Sequence, residues 1–225
     1  MEKFNVSFVE SCASTNDLAR VLSPYSAVHA GRQTNGRGRS GRSWQDGQGN
    51  LMTSITLPKP KSPQHYSFIA ALAVVQALSF LSPRIKWPND IWVDGKKICG
   101  ILLEATDDKL IIGIGVNILS SPSSSQMMYP VGCLKDWGAE AEPRIILDSI
   151  LQNLQDVIEC YQQYGFTAVR NRWLEFATLL GQTINVRMPN QTLTGVFEGI
   201  DPDGALILKT NTQTRLITAG DIFKL

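Results

Sequence analysis

The chain holds 225 residues, of which 43% are hydrophobic and 18% charged, with a formal net charge of +1. That balance excludes global disorder and a broadly basic nucleic-acid binder, and the length suffices for a large core without disulfide or metal staples. The longest apolar stretch, Phe68 to Leu81, is interrupted by Gln76 and Ser79 and is too short to span a bilayer; no charged-then-apolar leader opens the sequence, so a cytoplasmic protein with no membrane partner is expected.

Phe4, Val6 and Phe8 alternate with polar residues, which predicts a half-buried strand. Glu10 to Asp17 is rich in capping residues and feeds a short helix through Leu18, Ala19, Val21 and Leu22. Ala27 to Ala30 reads as a strand. From Gln33 to Asn50 the only large apolar side chain is Trp44, so this stretch is a loop, and a loop of that length in a compact domain is usually functional. Leu51 to Leu57 resumes a strand pattern, and Pro63 to Leu81 predicts a buried helix opened by proline. Ile85 to Trp87 and Ile91 to Val93 are strand pieces, followed by a two-residue hairpin turn at Asp94-Gly95. Ile98 to Ala105 and Leu110 to Val116 continue the sheet, and Ser120 to Pro130 is a polar loop. Leu147, Ile150, Leu151, Leu154, Ile158 and Tyr161 mark one face of a long amphipathic helix, with a second helix expected over Phe166 to Leu180. Beyond Gly181 short strands alternate with turns at Pro189-Asn190 and Asp201 to Gly204. The expected fold is α+β, with residues 1–178 as one domain and 179–225 as a small appended β-barrel.

Cys12, Cys99, Cys133 and Cys160 form no Cys-x-x-Cys pair, and His29 and His65 are far apart. Reduced cysteines and no zinc site are expected.

The loop Gly36-Arg37-Gly38-Arg39-Ser40-Gly41-Arg42-Ser43-Trp44 sets arginines among glycines that permit close backbone approach. Arginine forks match phosphate or carboxylate oxygens, so a small anionic ligand such as a nucleotide is one reading. A solvated loop, or an RNA-binding segment with Trp44 as stacking platform, are others. In a second cluster Lys86, Asn89 and Asp90 surround a turn fixed by Pro88, followed by Lys96 and Lys97. By strand alternation Lys97 faces the same side as Cys99, and it is the lysine expected to enter a site. Gly113-Ile114-Gly115-Val116-Asn117 closes a strand with glycines that allow close approach. A Gly-x-x-x-x-Gly-Lys-Ser/Thr loop and a Gly-x-Ser-x-Gly elbow are both absent, which argues for anion stabilisation over a protein nucleophile.

Taken in order, these segments resemble biotin–protein ligases. Ser14-Thr15-Asn16 resembles that family's biotin-contacting loop, and Gln33 stands where a biotin-binding glutamine is expected. The Gly36 to Trp44 loop resembles the family signature, and Lys86 to Asp90, Lys97 to Glu104 and Gly113 to Asn117 follow at familiar separations. The resemblance implies a class II synthetase-like catalytic domain with a mixed sheet packed by helices, and an SH3-like barrel at the C-terminus. It implies two half-reactions: biotin and ATP give biotinyl-5′-AMP and pyrophosphate, and a lysine of a biotin carboxyl carrier domain then displaces AMP.

By the same resemblance, Ser14, Thr15, Asn16, Gln33, Gly36, Arg37, Gly38, Arg39, Lys97 and Gly100 would bind biotin. Arg39, Arg42, Trp44, Lys86, Asn89, Asp90, Gly115 and Asn117 would bind ATP, with Mg²⁺ required and its ligands unassigned. Lys97 and Arg39 are the expected catalytic residues. Many relatives carry an N-terminal winged helix, whereas here the catalytic region starts at residue 1; no DNA partner is expected, and any oligomer would be weak or ligand-linked. Lys224 is left out of the site, because alternation in the last strand can point it away. A lipoate or octanoate ligase and an Arg/Gly-loop RNA-binding module are the alternatives.

Overall fold

A computed structural model describes residues 3–45, 47–123 and 127–225. Seven strands build the main sheet: β1 (Asn5–Val9), β2 (Ser26–Ala30), β3 (Leu51–Pro58), β4 (Arg84–Lys86), β5 (Asp90–Val93), β6 (Lys96–Ala105) and β7 (Lys109–Val116), in the order β1-β2-β3-β7-β6-β5-β4. Only β1 and β2 run parallel; all other neighbours are antiparallel, so the sheet is mixed as expected. The Asp94-Gly95 turn has both residues at positive φ, 45° and 77°, the twist-matched geometry its sequence predicts.

The two faces of the sheet have different fates. One is covered by α2 (His65–Ala77) and by the helical run α3 (Pro143–Phe176), which bury Ile55, Ile91, Ile98, Ile101, Ile112 and Ile114 in the main core. Helix α2 is apolar around its whole circumference and buried on every side. On the other face α1 (Thr15–Ala19) covers only a small cluster of Ala19, Val28 and Ile111. The rest of that face carries glycines and polar side chains together with Met52 and Leu102, which pair with Gly115 and Gly113.

A second antiparallel sheet follows: β8 (Thr183–Arg187), β9 (Thr192–Ile200), β10 (Leu206–Lys209), β11 (Thr214–Ile217) and β12 (Asp221–Lys224), in the order β11-β10-β9-β8-β12. It is not the closed barrel that was expected, since β11 and β12 are its two edges. The physical reason is that its apolar side is already covered. Ile184, Val186, Phe197, Leu206 and Ile222 join the core of the first sheet, Gly204 abuts the Phe68 ring, and Trp87 Nε1 donates to Gly204 O at 3.4 Å.

Three other expectations change. Phe8 is 59% exposed: β1 is an edge strand, and the Phe8 ring lies against His29 instead of entering the core. The two expected helices form one run broken at Gly165, where φ is 73°, and the second part ends at Phe176, short of Leu180. The polar loop from Ser120 to Pro130 includes residues 124–126, and the Gln33 to Asn50 loop includes residue 46; those four lie outside the described residues. The cysteines form no disulfide. Among the described residues no helix is long and apolar enough to cross a membrane.

Candidate active site

The site is built on a floor of missing side chains. Gly100 on β6 pairs directly with Gly115 on β7, and Gly113 precedes it by two residues on the same face. A Cβ on Gly115 would stand 2.4 Å from Trp44 Cε2, and one on Gly113 would stand 2.5 Å from Asn16 Oδ1. The glycines therefore let the indole of Trp44 and the amide of Asn16 lie flat on the sheet. Further along β7, past Val116, comes Asn117. Strand rise places Asn117 about 13 Å from Gly113, so β7 acts as a ruler along the cavity.

At the Gly113 end the hydrogen-bonding groups around Asn16 are neutral, and the Arg37 guanidinium on that side is ion-paired with Asp17 and Glu104. Gln33 Oε1 accepts from Thr15 N at 2.7 Å and from Thr15 Oγ1 at 3.0 Å, and so caps α1 where Ser14 makes no side-chain cap. Ser54 Oγ lies 2.5 Å from Asn16 Oδ1 and 2.7 Å from Thr15 Oγ1. With its oxygen engaged, Asn16 keeps a buried Nδ2 without a partner. Asn117 is the converse: Nδ2 donates to Gly132 O at 3.0 Å, and Oδ1 is buried and unpartnered. Trp44 Nε1 is a third such atom. Buried polar groups are nearly always satisfied, so three orphans lining one cavity mark places where a ligand supplies the missing bonds.

Beyond the glycines the groups are charged. Lys97 Nζ lies 2.6 Å from Asp90 Oδ1 and donates to Tyr129 Oη at 3.2 Å. Burial disfavours the Lys97 ammonium, but Asp90 and Tyr129 outweigh it and hold its pKa above the ordinary lysine value. Arg39 Nη1 donates to Asn89 Oδ1 at 2.8 Å, and burial lowers its pKa. Arg42 donates through Nη2 to Asp221 Oδ1 at 3.1 Å, tying the loop to β12. Arg37 behaves differently. It forks onto Asp17 at 2.7 and 2.9 Å and reaches Glu104 at 3.5 Å, and its hydrogen bond keeps the Asp17 carboxyl below the usual range.

Residues 9–118 match the biotin/lipoate A/B protein ligase family, and residues 179–225 match the biotin protein ligase C-terminal domain. The biotin--[acetyl-CoA-carboxylase] ligase of Paracoccus denitrificans is 34% identical over 92% of this chain and 93% of its own length. The chain belongs to the biotin protein ligase family. It is also 35% identical to the bifunctional ligase/repressor BirA of Bacillus subtilis, of whose length it spans 65%. The fold matches that of the biotin protein ligase from Aquifex aeolicus in complex with biotin and ATP, with a TM-score of 0.88, 25% identity and 97% of both chains covered.

Within this family frame, most residues singled out in the sequence meet in one cavity. Ser14, Thr15, Asn16, Gln33, Arg37, Gly38, Arg39, Arg42, Trp44, Asn89, Asp90, Lys97, Gly100, Gly115 and Asn117 all line it. Two do not. Gly36 is buried at the base of the loop, where its carbonyl accepts from Trp44 N at 2.9 Å, and it lines an adjoining groove that shares Gln33 and Trp44 with the cavity. Lys86 is buried beneath the site, its Nζ over the rings of Trp92, Phe223 and Tyr129 at 4.3, 4.9 and 5.3 Å; burial lowers its pKa.

Lys97 enters the cavity by a different route from the one alternation gave. Ile91 pairs with Cys99 but Trp92 pairs with Lys97, so Ile98 is an extra residue in β6. This bulge turns Ile98 and Cys99 both into the core, and Lys97 shares its face with Gly100. Sequence reasoning missed Tyr129, Asp221 and Ser54 as site residues. Ser54 carried a signal, a hydroxyl inside an apolar strand. Tyr129 and Asp221 carried none, because only tertiary folding brings them to Lys97 and Arg42.

Proposed function

We propose that the chain joins biotin to ATP as biotinyl-5′-AMP and transfers the biotinyl group to a lysine of a carboxylase's biotin carboxyl carrier domain. The observation that carries this reading is the two-ended cavity, with neutral amides and hydroxyls at the Gly113 end and Lys97, Arg39 and Arg42 beyond Gly100. Such a site suits a molecule with a neutral polar head and a carboxylate tail, lying against a nucleotide phosphate.

The Asn16 amide, Thr15 and Gln33 meet the ureido group of biotin, which an apolar pocket would leave unpaired. Biotin's carboxylate oxygen then attacks the α-phosphorus and pyrophosphate leaves. Both reactants are anions, and Lys97 with Arg39 offsets the charge that gathers between them. Lys97 is prepared for this by Asp90, which keeps it protonated and fixes its position. Trp44, Asn89, Gly115 and Asn117 face the nucleotide. In the second step the lysine nitrogen attacks the biotinyl carbonyl carbon, AMP leaves, and the nitrogen's surplus proton is lost to solvent or phosphate.

Mg²⁺ fits this site as a companion of the nucleotide. The cavity's carboxylates, Asp90 and Asp221, are each engaged by a cation, Lys97 and Arg42. The amides of Asn89 and Asn117 are the neutral oxygens beside them, and the ion would add positive charge at the phosphates. We further read residues 1–178 as the catalytic domain and 179–225 as a second domain that supplies Asp221. This division is supported by the change of sheet and by the family match that begins at residue 179.

The test is to incubate the protein with ATP, Mg²⁺, biotin and a biotin carboxyl carrier domain. One biotin on the carrier's acceptor lysine supports the reading. Preferential attachment of lipoate or octanoate would replace it with the alternative that the family description also covers.

A further inference from the structure

Lys97 is held at both ends by one short segment. Its backbone N donates to Pro130 O at 2.9 Å, and its O accepts from Gly132 N at 2.9 Å, so Val131 pairs with Lys97 in a parallel bridge. Tyr129, just before this bridge, returns to the side chain: Lys97 Nζ donates to Tyr129 Oη at 3.2 Å. The phenol ring has neighbours of its own. It lies 5.7 Å from the Trp92 ring, tilted by 54°, and the buried Lys86 ammonium stands 5.3 Å from its centroid.

A lysine ammonium is a point charge on a flexible stem, so a single ionic partner fixes its distance and leaves its direction loose. Asp90 at 2.6 Å is that ionic partner. Tyr129 Oη is a second partner, and the two together take two of the three N–H groups and leave the third for a ligand. A phenol does this without cancelling the charge, as a second carboxylate would. Lys97 and Tyr129 both line the cavity, next to the bare Gly100, where a Cβ would stand 3.3 Å from Lys97 Nζ. We propose that Tyr129 is a positioning residue whose hydroxyl aims the Lys97 ammonium at the reacting oxygens. Tyr129 acts through Lys97 and contributes to the rate of joining, while the binding of either substrate does not depend on it. This inference rests on the functional reading above for the role of Lys97.

The test is single-turnover formation of biotinyl-AMP by the full chain with ATP, Mg²⁺ and biotin. Tyr129→Phe keeps the ring beside Trp92 and Lys86 and removes only Oη. It should lower the maximal rate about tenfold, the scale of one hydrogen bond to a charged group, with the half-saturating concentrations of biotin and ATP unmoved. The same substitution is then made in Lys97→Ala, where the bond it removes is already gone. There Tyr129→Phe should change the rate by less than about twofold, the margin within which independent sites add. A full rate in Tyr129→Phe, a change confined to the half-saturating concentrations, or an equal fold loss in both backgrounds overturns the proposal. A parent protein that forms no biotinyl-AMP counts instead against the functional reading.

Discussion

Lys96 and Lys97 are neighbours with opposite surroundings, and they give the sharpest comparison at the scale of single residues. Lys96 has a half-exposed side chain 3.7 Å from Asp136, whereas Lys97 is 12% exposed and locked to Asp90 at 2.6 Å. Lys97→Ala should slow biotinyl-AMP formation by about 10²–10³-fold, the scale for losing one positioned transition-state donor. Lys96→Ala should leave it unchanged in single-turnover assays. Because Lys97→Ala strands a mostly buried carboxylate, Lys97→Ala with Asp90→Asn is the control that separates chemistry from stability. Equal effects at both lysines would remove Lys97 from its role. The sequence pointed to Lys97 through alternation with Cys99, and that step was unsound, because the bulge at Ile98 puts the two on opposite faces. A bulge leaves no mark in a run such as Lys97-Ile98-Cys99-Gly100, where apolar residues occupy both bulge positions.

At the scale of elements, the arginine loop is extended at Gly38, between Arg37 and Arg39, and turns only after that. Residues Arg39–Gly41 form a tight turn with Ser40 at φ 55°, which folds Arg42 back so that its N donates to Arg39 O at 3.2 Å, while Arg37 and Arg39 differ in the partners they meet. Arg37 meets two carboxylates and Arg39 meets a neutral amide, so Arg39 keeps its charge available for an anion. Arg39→Gly should speed biotinyl-AMP release by roughly 10- to 150-fold, from losing about 1.5–3 kcal/mol of charge-assisted bonding. Arg37→Gly gives up half-exposed ion pairs worth about 1 kcal/mol or less, so its effect should be several-fold smaller. Stopped-flow dissociation measures both, and equal rates would sink the distinction. Gly165 is the second case. Its φ of 73° breaks the helical run and turns Phe166 under His65, the two rings stacked 3.8 Å apart. Gly165→Ala should cost about 1–3 kcal/mol, read as a lower melting temperature, and an unchanged or higher value would contradict this account. The break was legible as a boundary between a helix marked through Tyr161 and a second beginning at Phe166, without Gly165 itself being singled out. The open second sheet was not legible, because closure depends on what covers an apolar face and the strand pattern alone is the same in both cases.

At the scale of the whole molecule, the last strand completes a site that begins at Ser14, through Asp221 on Arg42 and Phe223 over Lys86. That closure was invisible in the sequence, since Arg42 and Asp221 are 179 residues apart along the chain. Both histidines report on the integrity of the assembly. Burial lowers the pKa of His29 against β3 and of His65 between α2 and α3 below the ordinary 6.5. Each contributes stability that is complete above about pH 6.5 and is lost as pH falls toward the lowered folded value, because the unfolded chain takes up protons that the folded chain refuses. Denaturant midpoints should therefore fall between pH 7.5 and 5.5, and His65→Gln should flatten the slope; a midpoint that rises on acidification would contradict the assignment. The central claim is that one cavity holds biotin against ATP and joins them. Its most direct test is exchange of labelled pyrophosphate into ATP by the purified protein with Mg²⁺ and no acceptor, comparing biotin with lipoate and octanoate. Exchange that depends on biotin and collapses in Lys97→Ala is the predicted result. Exchange driven by lipoate or octanoate in preference to biotin, or none with any of the three, would contradict it.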